Sequence, residues 1–303
     1  MELSGYEPLV DLARNLPERG VVAVAGAADS HVVEAALQAK DSGVAEPYLV
    51  GEPNIIREIL RRFDRKPTDF LITGTVPGMN EAETAVALVK AGEASFLMKG
   101  IMETSDVLRS VVKKENGLRT GRGMSHLSFN SFSDYPKLLC CTDGGMVPHP
   151  DLQQKKAILQ NAVDAFRKLG YESPKVACVC CKETLDPKIP ETSEARELRD
   201  AAERGEFGPC FVEGPISYDI AMSAEIAKIK RFDCEHCGNF DIILVPDIHS
   251  GNILGKSWIL HCGATMAGIV AGARIPIVIT SRGSTSEEKF LSLALASVMA
   301  AGE

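Results

Sequence analysis

The alternation of short apolar strands with amphipathic helices is the feature that most restricts the fold of this chain. Val21–Ala25 is an apolar run that predicts a buried strand, a turn follows it, and His31–Ser42 has the apolar spacing of a helix. Pro47–Val50 then begins a second strand. This order predicts an α/β fold with mostly parallel sheets. The turn holds a lone glycine, Gly26, rather than G-x-G-x-x-G, which argues against a Rossmann dinucleotide site.

The alternation continues along the chain, and its 303 residues are enough for two domains of roughly 100–200 residues each. The Gly- and Arg-rich segment Gly117–Ser125 predicts the hinge between them. Further strands are predicted at Phe70–Thr73, Ser95–Met98, Leu138–Cys141, Val176–Cys181, Ile242–Val245 and Ile275–Ile279, and a strand with its turn at Cys210–Pro215. Helices are predicted at Leu3–Leu16, Ile55–Phe63, Glu81–Ala91, Val107–Lys114, Leu152–Leu169, Glu194–Arg204, Ile220–Lys230, Trp258–Ala273 and Phe290–Met299.

Charge and cysteine content exclude some classes of function. The net charge of −8 argues against nucleic acid as a main partner. No apolar run reaches the ~18 residues of a membrane span, and the acidic N-terminus does not resemble a signal peptide. Most of the nine cysteines lie within apolar runs, so we expect reduced, buried thiols and a cytoplasmic protein.

A polar segment late in the chain is the strongest candidate for a binding site. The predicted strand Ile275–Ile279 ends in Thr280–Ser286, which holds hydroxyl groups, one glycine and Arg282, and a helix follows. Ligands of open α/β sheets bind past the carboxyl ends of the strands, and a helix N-terminus together with a guanidinium favours an anion. The alternative is a capping box alone, formed by Ser284 with Glu287 or by Thr285 with Glu288.

A second cluster of this kind follows the predicted strand Ser95–Met98. Lys99 and Gly100 come directly after it, and the hydroxyl-rich segment Thr104–Asp106 opens a helix that carries Arg109. These residues bring positive charge to a strand end, although a lone arginine on a helix is more often only solvated.

Three other motifs have simpler interpretations than the sites they resemble. Gly251–Ser257 (GNILGKS) is close to a P-loop, but Ser250 stands where the first glycine is needed, so an NTP-binding or kinase-like enzyme is disfavoured. Cys234–Cys237 resembles half of a zinc site without a second pair at the usual spacing. Cys262 lies in an apolar run, which favours a buried inert thiol over a nucleophile in a ping-pong reaction.

Seven segments in series resemble the phosphate acetyl/butyryltransferase family, and most closely its phosphate butyryltransferase branch. Together they cover most of the chain: VVAVAGAADSHVVEAALQAKDSG (21–43), FLMKGIMETSDVLRSVVKKENGLRTGR (96–122), TDGGMVPHPDLQQKKAILQNAV (142–163), ETLDPKIPETSEA (183–195), GPISYDIAMSAEIAKIK (214–230), DIILVPDIHSGNILGKS (241–257) and AGARIPIVITSRGSTSEEK (271–289).

The resemblance implies two α/β domains with an interdomain cleft, in an isocitrate/isopropylmalate dehydrogenase-like arrangement. Residues 1–122 with 275–303 would form the first domain, and residues 123–274 an inserted second one. It also implies a homodimer or higher homo-oligomer with acyl-CoA and phosphate as substrates. The reaction would give acyl phosphate and coenzyme A without a metal or cofactor. The charge and hydropathy given above add the expectation that neither a nucleic acid nor a membrane is a partner.

The resemblance also assigns roles to residues. Ser281, Arg282, Glu288 and Arg109 would be catalytic: the arginines hold phosphate and the developing oxyanion, Ser281 donates a hydrogen bond, and Glu288 handles the thiol proton. Substrate-binding positions would be Lys99, Gly100, Thr104, Ser105, Asp143, Asp247, Asn252 and Lys256.

Two segments depart from the butyryltransferase pattern. Ser284 stands where the branch usually has an aspartate, and Val147 and Pro148 alter its TD-x-x-x-Asn segment. A diverged member of the family, with another thioester substrate or acyl-CoA binding without much catalysis, is therefore the alternative function.

Overall fold

A computed structural model describes residues 2–281 and 283–301. The chain forms two compact units, each a helix-and-sheet body. The first unit contains Tyr6–Arg122 and Ala267–Glu303, and the second contains Met1–Gly5 and Gly123–Met266.

The strands, numbered in chain order, are β1 Val21–Ala25, β2 Glu46–Val50, β3 Leu71–Thr73, β4 Phe96–Lys99, β5 Ser125–Ser131, β6 Leu139–Thr142, β7 Lys175–Cys180, β8 Phe211–Ser217, β9 Ile242–Leu244, β10 Thr265–Ala271 and β11 Ile277–Val278. The helices are α1 Tyr6–Arg14, α2 Ser30–Asp41, α3 Pro53–Arg62, α4 Glu81–Lys90, α5 Thr104–Val112, α6 Leu152–Lys168, α7 Pro190–Glu203, α8 Tyr218–Met222, α9 Ala224–Lys230, α10 Ile248–His261 and α11 Ser286–Ala300.

Strands of the first unit run in the spatial order β3-β2-β1-β4-β11-β10. The pairs β2–β3, β1–β2, β1–β4 and β4–β11 are parallel, and β10–β11 is antiparallel. The central strands β1 and β4 are almost wholly apolar and buried, as expected of strands covered on both faces. In the second unit the order is β5-β6-β9-β7-β8, in which the β5–β6 pair is antiparallel and the β6–β9, β7–β9 and β7–β8 pairs are parallel. The predicted α/β class with mostly parallel sheets is confirmed, whereas the interdomain cleft and the dehydrogenase-like arrangement stay predictions.

Helix α11 is buried along most of its length in the first unit. Every residue from Lys289 to Met299 is buried, because the helix packs against α1, α2 and the strands β4 and β11. Helices that are apolar on all sides are found in such positions. Its few hydroxyl groups are bonded: Ser292 Oγ donates to the Glu288 carbonyl over 2.7 Å, and Ser297 Oγ to the Val44 carbonyl over 2.9 Å.

The compact units differ from the predicted domain boundaries at two places. The first unit resumes at Ala267 rather than at residue 275, because β10 pairs with β11 through Ile269 and Val278. The N-terminal residues pack with the second unit, where the Leu3 N–H donates to Tyr171 Oη over 2.7 Å.

The predicted helix Trp258–Ala273 is wrong. Helix α10 ends at His261, Gly263 takes a positive φ of 63°, and the chain continues as strand β10. Alanine favours a helix, β-branched residues favour a strand and glycine favours neither, so pairing with β11 decides for the strand. The predicted helix Ile220–Lys230 is also interrupted, because Ser223 is extended and caps α9.

The expectation that the thiols are buried is wrong for two cysteines. All nine cysteines are free thiols, but Cys181 and Cys262 are exposed rather than buried. Cys262 follows the end of α10, where Leu260 is also 73% exposed. An apolar run at the end of a helix therefore did not indicate burial.

No helix among the described residues combines the length and the apolar character that crossing a membrane would require.

Candidate active site

Three parallel strands of the first unit end at one edge of its sheet. β1, β4 and β11 are neighbours with the same direction, so the loops that follow them start side by side. These loops lead into α2, α5 and α11. The arrangement brings the segment after Lys99 next to the hydroxyl-rich segment after β11, as expected for a ligand site of an α/β sheet.

The loops after β1 and β4 touch through their backbones. The Gly100 N–H donates to the Ala25 carbonyl over 2.7 Å, and the Ile101 N–H donates to the Gly26 carbonyl over 2.9 Å. A Cβ on Gly100 would lie 2.1 Å from the Gly26 carbonyl oxygen, so that no side chain fits there. Gly100 thus acts by permitting the close approach of two loops.

Lys99 is buried at the end of β4. Its exposed fraction is 5%, and Nζ donates to the carbonyl oxygens of Gly100 and Met102 over 3.2 and 3.3 Å. The ammonium therefore stabilises the backbone of its own loop. It also adds positive charge to this edge of the sheet.

Helix α5 places the other first-unit candidates. Thr104 and Ser105 are in its first turn, where backbone N–H groups favour an anion. Arg109 is 70% exposed and forms an ion pair with Asp106 over 3.1 Å. A surface pair of this kind contributes little to stability, so exchanging it for a bound anion costs little.

The loop between β11 and α11 carries Ser281, which is exposed. The Ser284 N–H donates to the Ser281 carbonyl over 3.1 Å, and Ser281 Oγ accepts from the Gly283 N–H over 3.4 Å. Arg282 lies outside the described residues.

Glu288 belongs to a capping box. Thr285 Oγ1 accepts from the Glu288 N–H over 3.1 Å, and Glu288 Oε2 accepts from the Thr285 N–H over 3.0 Å. Of the two capping boxes that the sequence allowed, the Thr285–Glu288 pair is the one that forms. The carboxylate of Glu288 is thereby held at the N-terminus of α11.

We expect Thr285→Ala to lower the free energy of unfolding by about 1 kcal/mol, because the mutation removes the oxygen that caps α11. Urea unfolding followed by circular dichroism measures this change. Thr285→Ser keeps a capping hydroxyl and is the control. An alanine variant as stable as the serine variant would contradict a stabilising cap.

The remaining candidates lie in the second unit, and most of them bond to their own loops. Asp143 is 3% exposed and accepts from the N–H groups of Gly145 and Met146 over 2.8 Å each. Burial raises the pKa of the Asp143 carboxyl, and these bonds and the charge of His126 oppose the shift. This carboxylate shapes the turn after β6.

Helix α10 holds the other three second-unit candidates. Asp247 caps it, accepting from the N–H and the hydroxyl of Ser250 over 2.8 Å each. Burial alone would raise the pKa of Asp247, but these bonds and two nearby histidines lower it overall. Asn252 Nδ2 donates to the Gly144 carbonyl over 3.2 Å, and Lys256 is exposed.

The structure agrees with the sequence analysis in disfavouring a P-loop at Gly251–Ser257, because this segment lies inside α10. Its backbone N–H groups serve the helix and are not arranged as a phosphate-binding loop. Gly251 instead packs on Gly144, where an added Cβ would lie 2.7 Å from the Gly144 Cα.

Comparison with known proteins decides the family. A sequence model described as phosphate acetyl/butaryl transferase matches residues 55–297. The chain belongs to this family. It is 39% identical to phosphate butyryltransferase of Clostridium acetobutylicum, over 92% of this chain and 93% of that protein. It is 36% identical to phosphate acetyltransferase of Thermotoga maritima, over 97% of this chain and 99% of that protein.

Solved structures give the same family fold. The branched-chain phosphotransacylase from Enterococcus faecalis V583 aligns with a TM-score of 0.80 and 27% identity, over 93% of this chain and 99% of that one. A phosphotransacetylase from Streptococcus pyogenes aligns with a TM-score of 0.83 over 98% and 99% of the two chains. At 21% identity, the second likeness concerns the fold alone.

One departure from the transferase pattern has a clear position in the structure. Ser284, in place of the usual aspartate, is 8% exposed. Its carbonyl accepts a hydrogen bond from the ammonium of Lys289.

Sequence reasoning missed Lys289. The lysine is 6% exposed and lies in the first turns of α11. The signal was a single cation immediately before the long apolar run 290–299.

Proposed function

We propose that this protein transfers a short, butyryl-like acyl group between coenzyme A and inorganic phosphate, giving acyl phosphate and free coenzyme A. The observation that supports the proposal most directly is the pairing of β4 with β11. This pairing places Lys99, the start of α5 and the Ser281 loop at one sheet edge, in a chain that belongs to the transferase family.

We assign the bond changes as follows. An oxygen of phosphate attacks the thioester carbonyl carbon and forms a C–O bond, and the C–S bond then breaks. Arg109 and Arg282 hold the phosphate and the oxyanion of the tetrahedral intermediate, because fixed donors aimed at developing charge are usually the largest catalytic contribution. Ser281 donates a hydrogen bond to the intermediate or to the departing sulfur. Binding both substrates together supplies the orientation.

Glu288 is assigned the proton of the coenzyme A thiol. A thiol with a pKa near 8.5 needs a base in the reverse reaction at neutral pH. The capping bond uses Oε2 of Glu288, so Oε1 is the oxygen that we assign to the proton. One carboxylate thus combines a catalytic role with a structural one.

The eight proposed substrate-binding positions divide into two groups. Lys99, Gly100, Thr104 and Ser105 belong to the edge described above, and we assign them to phosphate. Asp143, Asp247, Asn252 and Lys256 belong to the second unit, and we assign them to the coenzyme A part of the substrate. Of these four, Lys256 is the exposed cation on α10 and suits a phosphate group of coenzyme A.

We also propose a cytoplasmic enzyme that acts as a homodimer or larger homo-oligomer. The nine free thiols are in keeping with a reducing compartment. Light scattering on the purified protein measures the oligomer.

The function is tested by mixing the protein with phosphate and a panel of acyl-CoA thioesters and following the release of coenzyme A. We expect release that depends on phosphate and is fastest with short acyl chains such as butyryl. Reactions without phosphate are the control. Release that does not depend on phosphate, or binding of acyl-CoA without turnover, would favour the diverged, weakly active alternative.

A further inference from the structure

A lysine is almost completely buried beside the Ser281 loop. Lys289 is 6% exposed, and every residue after it up to Met299 is buried as well. Lysine is rarely buried without a partner, because removing an ammonium from water is costly. The position of this cation therefore needs a specific contact to explain it.

Two successive hydrogen bonds connect the Lys289 ammonium to Ser281. Nζ donates to the Ser284 carbonyl, and the Ser284 N–H donates to the Ser281 carbonyl over 3.1 Å. Ser284 is itself 8% exposed, whereas Ser281 is on the exposed side of the loop. The ammonium thus acts on the buried part of a segment whose exposed part carries Ser281.

The surroundings of the ammonium act on its charge in opposite directions. Burial lowers the pKa of Lys289 overall, and the carboxylates of Asp29 and Glu288 oppose part of this shift. Asp29 caps α2 by accepting from the Val32 N–H over 3.0 Å. Ser286 Oγ also donates to Glu34 of α2. Two contacts therefore hold this segment: Ser286 bonds to α2 on one side, and Lys289 bonds to the Ser284 carbonyl on the buried side.

We infer that Lys289 is a positioning residue for phosphate, which holds the Ser281 loop in its binding shape by anchoring the Ser284 carbonyl from inside the first unit. The inference rests on the proposed function of that loop. Lys289 does not donate to the substrate in this proposal. It acts through Ser284, so its loss should affect phosphate more than acyl-CoA.

Lys289→Met, which keeps most of the length of the side chain and removes the donor, is the main test. We expect the KM for phosphate to rise about ten- to a hundredfold, because small misplacements of a binding group have effects of this size. The KM for acyl-CoA should change much less. Hydrogen–deuterium exchange should become faster in a peptide that covers residues 280–285. Lys289→Arg keeps a charged donor and should recover part of the phosphate affinity.

Lys90→Met is the matched control. Lys90 is exposed on α4, and its Nζ donates to the Glu115 carbonyl over 2.8 Å. This variant removes the same kind of contact away from the loop and should leave both KM values and the exchange of residues 280–285 unchanged. Equal effects of the two methionine variants would overturn the inference, as would an unchanged phosphate KM in Lys289→Met.

Asp29→Asn provides a second route if Lys289→Met does not fold. Asparagine caps helices as well as aspartate, but one of the two carboxylates that favour the ammonium is lost. The same selective rise in the phosphate KM is expected, with a smaller factor, and an unchanged value would overturn the inference. If the unmodified protein released no coenzyme A, the proposed function would fail. Hydrogen exchange would then still decide whether Lys289 holds the loop.

Discussion

Arg282→Ala is expected to lower kcat/KM for acyl phosphate formation by about 10²- to 10³-fold, the usual effect of removing a donor to a developing oxyanion. The family resemblance places this guanidinium in the Ser-Arg pair, and its neighbour Ser281 is exposed at the edge where β4 and β11 end. The measurement is the rate of coenzyme A release at varied phosphate and acyl-CoA. Both KM for phosphate and kcat should change.

Two further variants make this experiment specific. Arg282→Lys keeps the charge but loses the planar fork, so only part of the rate should return. Arg57→Ala removes an arginine whose guanidinium bonds to Asn54 on α3, outside the proposed site, and should leave the rate unchanged. Turnover of Arg282→Ala equal to that of the unmodified protein would remove Arg282 from the mechanism.

Gly100→Ala should be among the most destabilising single substitutions in the first unit. The new Cβ would lie 2.1 Å from the Gly26 carbonyl oxygen and 2.9 Å from that of Ala25. Both obstacles are backbone atoms of the neighbouring loop, so the strand ends must separate. We expect a loss of about 2–4 kcal/mol of stability, as for severe overpacking. Phosphate affinity should fall as well, because the β4 loop moves.

Gly255→Ala is the matched control for this effect. Gly255 lies inside α10, and among the described residues an added Cβ there would meet no heavy atom within 4 Å beyond its own helix backbone. Alanine should stabilise that helix by up to about 1 kcal/mol. Urea unfolding of both variants gives the two free energies. A Gly100→Ala protein as stable as Gly255→Ala would show that the loops after β1 and β4 do not pack as described.

Local patterns were sufficient for much of this protein. The all-apolar run Val21–Ala25 became β1 with the same bounds, and the S/T-x-x-E spacing before α11 became a capping box at Thr285 and Glu288. Such features depend on residues only a few positions apart. For this reason periodicity, hydroxyl caps and glycine positions predict them directly.

Local patterns failed where distant contacts decided the outcome. The segment after His261 has a mixed composition and is predicted as a helix, but pairing with β11 makes it strand β10. The apolar neighbours of Cys262 did not bury it, because α10 ends there on an exposed face. When the residues of a segment favour neither helix nor strand clearly, the elements that pack or pair with the segment decide its secondary structure.

The sequence by itself determined the α/β class, the capped start of α11 and the family of this transferase. Only the tertiary structure decided that β4 lies beside β11, which brings Lys99 to the Ser281 loop, and that the ammonium of Lys289 is buried under Ser284. Strand order and burial arise from contacts between residues far apart in the chain. No spacing of neighbouring residues encodes such contacts.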